Sequence, residues 1–309
     1  MKRLFALAFS LLLPVFGWAQ ANSYRSFDAG AAPSFEGVWW NPGESGWGVS
    51  VTHQGDVLFA VWYTYDRDGS PMWLVMPDAA LVDQSEMDME GMMEMSMMGM
   101  NRSAPIYTGT LYRSTGPAFS SASFDRNAVG VSAVGMGTLL FRSDGSSGVF
   151  AYTVGDFSSA KDITRMAFSP SMPSCYVGGQ AKAAGPVNYQ DLWWRSQESG
   201  WGVNIAHQGD TIFATWFTYD AAGKGQWLVM SNTAKVGDGR YAGKVYRTTG
   251  PSFDSPSWDA SRVRVTEVGA ATFTFGDASN GTFAYTVEGV SQSKSIQRMV
   301  YALPATVCN

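Results

Sequence analysis

The strongest constraint on this chain is that it contains one pattern twice. The stretch "WWNPGESGWGVSVTHQGDVLFAVWYTYDRDGSPMWLVM" begins at Trp39 and "WWRSQESGWGVNIAHQGDTIFATWFTYDAAGKGQWLVM" begins at Trp193; they align without a gap over thirty-eight positions at an offset of 154. Further on, "YTGTLYRSTGPAF" from Tyr107 matches "YAGKVYRTTGPSF" from Tyr241 at an offset of 134, so the first copy carries twenty residues that the second lacks. "FAYTV" recurs at Phe150 and Phe283, and an Arg-Met pair followed by Cys recurs at Arg165 to Cys175 and Arg298 to Cys308. Any fold must therefore be buildable from one unit of roughly 135 residues used twice. The boundaries that follow are a first domain over 33–175 with an insertion near 84–103, a Gly- and Ala-rich linker over 176–188, and a second domain over 189–309.

Within a unit the pattern is that of strands. "DVLFAVWYTYD" is rich in β-branched and aromatic residues and shows no helical period, so it reads as a central strand buried on both faces. Gln54-Gly55-Asp56 and Asp68-Gly69-Ser70, with Gln208-Gly209-Asp210 and Ala222-Gly223-Lys224 in the second copy, place glycine where tight hairpins need positive φ. Such runs fall near 36–41, 46–53, 57–65, 72–81, 106–115, 130–141, 147–154 and 160–168, about eight strands per copy. The fold class is all-β: two tandem antiparallel meanders, each closing into a barrel or folding into a sandwich. Gly37-Val38-Trp39 resembles the Gly-x-Trp opening of lipocalins, which implies a lipocalin- or streptavidin-like barrel. The full repeat, with "WW", "ESGWG", "QGD", "TYD", "WLVM" and "YRTTGP", resembles a family of uncharacterised exported bacterial β-repeat proteins. That resemblance spans nearly all of both copies and carries no catalytic residue with it.

Lys2 and Arg3, the apolar run "LFALAFSLLLPVFGW" and Ala19-Gln20-Ala21 read as a signal peptide over 1–21, which implies a periplasmic or secreted protein of a Gram-negative bacterium. No later apolar run approaches the roughly 18 residues that a spanning helix needs, so no membrane span is expected after cleavage. Losing Lys2 and Arg3 takes the formal charge from -5 to -7. With no Lys/Arg stripe to displace phosphate counterions, a nucleic-acid partner is excluded.

Ten of the twelve tryptophans form five equivalent pairs: Trp39 with Trp193, Trp40 with Trp194, Trp47 with Trp201, Trp62 with Trp216, and Trp73 with Trp227. Neighbours in a strand point to opposite faces, so Trp39 and Trp40 cannot share one interior. Trp40, Trp47 and Glu44, with Trp194, Trp201 and Glu198, are accordingly candidates for a face that stacks on glycans or hydrophobic ligands; the competing reading is core packing. "GESG" faintly echoes a serine-hydrolase loop, but Gln197 replaces Gly43 in the second copy and no strand-turn-helix context surrounds Ser45. No catalytic residue is therefore assigned. His53 and His207 are equivalent and sit beside hairpin turns, where a histidine is expected to be a surface hydrogen-bonder.

Cys175 and Cys308 are the only cysteines and end the two copies; in an oxidising compartment they are expected to form a disulfide, a free or intermolecular thiol being the alternative. The insertion holds "MDMEGMMEMSMMGM", eight of the sixteen methionines in the chain. Met87, Met89, Met92, Met93, Met95, Met97, Met98 and Met100 offer thioether sulfur, a soft ligand suited to Cu(I) or Ag(I), while the absence of His or Cys disfavours Zn(II) and Cu(II). A low-complexity loop without a ligand and a Met-rich adhesive or oxidant-scavenging surface are the alternatives. The expected protein is thus a non-enzymatic binding module whose partner is a soft metal ion or a small ligand or glycan.

Overall fold

The computed structural model describes residues 32–83, 104–179 and 186–309. The expected signal peptide over 1–21 and the eight clustered methionines lie outside these residues.

Each copy is a closed barrel of eight antiparallel strands in chain order, which decides between barrel and sandwich. The first is built from β2 (Gly37–Trp40), β3 (Gly48–Gln54), β4 (Val57–Tyr65), β5 (Pro71–Leu81), β6 (Ile106–Thr115), β7 (Gly130–Phe141), β8 (Ser147–Val154) and β9 (Phe157–Arg165). It closes where Trp39 on β2 pairs with Arg165 on β9. The second is built from β11 (Asp191–Trp194), β12 (Gly202–Gln208), β13 (Thr211–Tyr219), β14 (Gly225–Gly237), β15 (Arg240–Thr249), β16 (Arg264–Phe275), β17 (Asn280–Val287) and β18 (Val290–Arg298), and closes where Trp193 pairs with Arg298. A three-stranded sheet joins them: β1 (Ala32–Pro33), β10 (Cys175–Val177) and β19 (Thr306–Cys308), in the order β1-β10-β19. The segment expected to be linker from residue 176 therefore begins as a strand, because Tyr176 and Val177 pair with Val307 and Thr306.

The hairpin glycines adopt the predicted left-handed backbone, with φ of 57° at Gly55, 78° at Gly69, 60° at Gly209 and 75° at Gly223. The last strand of the first barrel lies at 157–165 rather than 160–168, because Gly155, at φ 58°, turns the chain tightly right after β8.

Alternation along the strands fills the interior. Trp39, Val49, Val51, Leu58, Ala60, Trp62, Leu74, Phe141 and Phe150 form the core of the first barrel, and Trp193, Val203, Ile205, Ile212, Ala214, Trp216, Leu228, Phe275 and Phe283 that of the second. Eight strands enclose a volume that side chains just fill. The opposite face of β4 is buried as well: Val61, Tyr63 and Tyr65 pack with Trp73 against Leu192, Phe217, Tyr219 and Trp227 of the sister barrel. Two reciprocal hydrogen bonds seal this seam, from Trp73 Nε1 to the Thr218 carbonyl and from Trp227 Nε1 to the Thr64 carbonyl, each 2.9 Å.

The barrels also exchange segments. The connection after β6 leaves its own barrel and closes the second: Phe119 enters that core, its N–H donates to the Tyr219 carbonyl at 3.0 Å, and its carbonyl accepts from the Tyr285 hydroxyl at 3.1 Å. The connection after β15 does the same to the first barrel through Phe253, which donates to the Tyr65 carbonyl at 3.0 Å and accepts from the Tyr152 hydroxyl at 2.9 Å. The glycine of each "TGP" is fixed by this exchange. A Cβ on Gly116 would lie 2.6 Å from the Tyr219 ring, and one on Gly250 would lie 2.4 Å from the Tyr65 ring.

The C-terminal segment of each copy crosses over too. Gln54 on β3 donates to the Met299 carbonyl at 2.8 Å and accepts from the Tyr301 and Ala302 N–H groups. Gln208 on β12 holds Met166, Phe168 and Ser169 in the same manner. The Cys175–Cys308 disulfide ties the two crossing segments together.

Candidate functional site

The connection between β2 and β3 carries the "ESGWG" motif, and its residues satisfy one another. Trp47 Nε1 donates to the Glu44 carboxylate at 3.2 Å, and Lys161 on β9 reaches the other Glu44 oxygen at 2.9 Å. The second barrel repeats the arrangement with Trp201, Glu198 and Lys294, at 3.1 Å for the indole and 3.0 Å for the shorter ammonium contact. Trp47 is 6% exposed and Trp201 4%, so neither indole offers an open stacking face. Gly46, at φ 114°, is where the exchanged arm approaches: a Cβ there would lie 2.5 Å from Val263. Trp258 on the same arm packs edge-on against Trp47 and donates to the Ser45 carbonyl at 3.0 Å. The motif is therefore the seat of the sister copy's arm. Trp40 and Trp194 are half-buried.

The tryptophan surplus has a structural account. Trp39, Trp62, Trp193 and Trp216 fill the interiors, while Trp73 and Trp227 seal the seam. A core for one isolated barrel needs only part of this inventory; two barrels locked face to face use nearly all of it.

The histidines are corrected from surface groups to buried ones, each 4% exposed. His53 Nδ1 accepts from the Phe35 N–H at 3.2 Å and its Nε2 meets the Tyr107 hydroxyl at 3.3 Å. His207 does the same with the Tyr189 N–H at 3.0 Å and the Tyr241 hydroxyl at 3.0 Å. An acceptor at Nδ1 requires the neutral Nε2–H tautomer. Burial holds both rings down to about pKa 4, so they stay uncharged at neutral pH. Ser45 precedes β3 while His53 lies near its far end, where the ring is engaged by the Phe35 N–H and the Tyr107 hydroxyl.

An open groove of about 710 Å³ lies where β5 and β6 of the first barrel meet the β13–β14 turn of the second. Met72, Trp73, Arg113, Pro117, Ala128 and Lys224 contribute to its lining. Its two cations converge on Asp66 Oδ2, Arg113 at 3.0 Å and Lys224 at 3.3 Å. The duplicated positions on the other side carry Arg262 for Ala128, Asp68 for Ala222 and Pro71 for Gly225, so the two faces of the junction differ in bulk and charge.

Among the described residues no cluster of three or more His, Cys, Asp or Glu is arranged to hold a metal ion, and no helix is long and apolar enough to cross a membrane. The candidate soft-metal ligands, Met87 to Met100, fall outside the described residues. They belong to the connection between β5 and β6, whose counterpart in the second barrel is the two-residue turn Asp238-Gly239.

The fold thus defines an all-β protein of two closed eight-stranded antiparallel barrels joined by reciprocal exchange and one disulfide. No family model, curated protein or solved structure matches the chain.

Proposed function

We propose that this is an exported, non-enzymatic binding protein whose paired barrels form a rigid carrier for a soft-metal site in the β5–β6 connection, suited to Cu(I) or Ag(I) in periplasmic metal tolerance. One observation carries the reading. Aromatic and aliphatic side chains fill both barrels, and the two copies differ most in length at a hairpin end that one of them closes with two residues. A binding task acquired by one copy belongs where that copy departs from its sister, and there the sequence supplies eight thioethers and no His or Cys. The disulfide and the signal-like N-terminus support an oxidising compartment outside the cytoplasm.

Calorimetric titration with Cu(I), comparing the protein with a deletion of residues 84–103, tests this. Binding is expected to be lost with the deletion while the unfolding transition stays in place. Equal Cu(I) binding by both proteins sinks the proposal.

The open groove beside Trp73 favours a second reading, in which a glycan or hydrophobic ligand docks at the barrel junction. Tryptophan fluorescence against a glycan and hydrophobic-ligand panel separates the two, because that response survives the deletion.

A further inference from the structure

Where the barrels face each other near their first strands, Glu36, Ser50 and Thr52 meet Gln190, Asp191 and Asn204 around a small internal cavity of about 10 Å³, room for one water molecule. The lining is built by the duplication: Glu36 corresponds to Gln190, Gly37 to Asp191 and Ser50 to Asn204. Two carboxyl groups therefore meet here, one from each copy and from neighbouring rather than equivalent positions of the repeat.

Their circumstances differ. Asp191 accepts from the Leu192 N–H at 2.7 Å and from Arg298 at 3.0 Å. Glu36 is 2% exposed, and neither carboxyl oxygen has a hydrogen-bond partner among the described residues. Arg165 gives one terminal NH group to the Glu36 carbonyl at 3.0 Å and the other to the Ser34 carbonyl at 2.8 Å while lying over the Trp39 ring, and its buried Nε has no hydrogen-bond partner among the described residues. A charged carboxylate without a donor is among the most expensive groups to bury. A neutral acid hydrogen-bonded to one water is not.

We infer that this cavity binds one water molecule and one proton: Glu36 is a neutral carboxylic acid that donates through the water to the Asp191 carboxylate, and this proton holds the two barrels closed on each other. Burial and the Asp191 charge both push the Glu36 carboxyl well up. Arg298 on β18, the His53 N–H on β3 and Arg165 on β9 favour the charged form, but none makes a hydrogen bond to the carboxyl. Tyr301, packed over β3 from the C-terminal segment, is a neutral phenol whose hydroxyl donates to the Thr52 carbonyl at 2.6 Å. Gln190 links the cavity to the disulfide, its Nε2 lying 3.2 Å from Cys175 Sγ and 3.6 Å from Cys308 Sγ.

The test uses the full chain and Glu36→Gln, which keeps the shape of the neutral acid. Infrared difference spectra near neutral pH are expected to show the carbonyl stretch of a protonated acid in the wild type and none in E36Q. Because the folded form holds the proton more tightly than the unfolded chain, the Glu36 contribution to stability is full in acid and falls as pH rises through the Glu36 titration. The thermal midpoint of the wild type should therefore drop by several degrees more than that of E36Q between about pH 5 and about pH 9. Two results overturn the inference. One is a wild-type spectrum without the acid band near neutral pH. The other is an alkaline midpoint that rises with sodium or calcium over choline only when Glu36 is present, which would make the guest a hard cation.

Discussion

At the residue scale, the buried histidines give the protein a defined response to acid. His53 and His207 are neutral when folded, with pKa values lowered from 6.5 to about 4, whereas the unfolded chain protonates near the ordinary value. Their stabilising effect is thus complete above about pH 6.5 and lost as pH falls through about 4, with a ceiling of about 3 kcal/mol per histidine. Thermal unfolding across that range should show the midpoint falling in the wild type and a shallower fall in His53→Gln and His207→Gln. Equal slopes would mean that the rings are hydrated in solution. Sequence placed both rings correctly beside their turns but on the wrong side of the surface. The residues that cover them, Phe35 with Tyr107 and Tyr189 with Tyr241, come from other strands and from the entry segments, and no local pattern announces those contacts.

At the scale of the element, legibility follows range. Hairpins were readable because Gly55, Gly69 and their counterparts act within four residues of chain, and the burial of β4 on both faces was readable because its apolar and aromatic run is nearly unbroken. The arms after β6 and β15 were not readable as arms. "STGPAF" and "TTGPSF" show no period, and the rings they press upon belong to the other copy. Their repetition was the available signal: two matching stretches outside any strand register imply a shared packing duty. The exchange predicts that a substitution in one copy damages the other. Phe253→Ala should cost about 3–5 kcal/mol and loosen the first barrel, read as weakened amide protection of β4 and β8 in hydrogen exchange, and Phe119→Ala should do the same to β13 and β17. Loss of protection confined to the mutated copy would contradict the crossing of the arms.

At the scale of the whole molecule, the two barrels are one cooperative body. They share an aromatic seam, exchanged arms, exchanged C-terminal segments and a disulfide that closes a separation of 133 residues. The chain-entropy model puts the effect of such a closure at about 5 kcal/mol. Denaturant unfolding with and without reductant should show the midpoint falling on reduction while the transition stays single, since the seam and arms still couple the barrels. Two separated transitions after reduction would make the disulfide the principal link between them.

The crossing of the arms also sets a timetable for synthesis. The second barrel's plug, Phe119, is already made before its own first strand at Asp191 appears. The first barrel waits, because its plug at Phe253 and its clasp at Met299 to Thr306 follow long after β9 ends at Arg165. Symmetric in space, the molecule is asymmetric in time: a growing chain carries an unfinished first barrel with an open mouth until the segment from Met299 to Thr306 is supplied, after the second barrel's last strand has ended at Arg298.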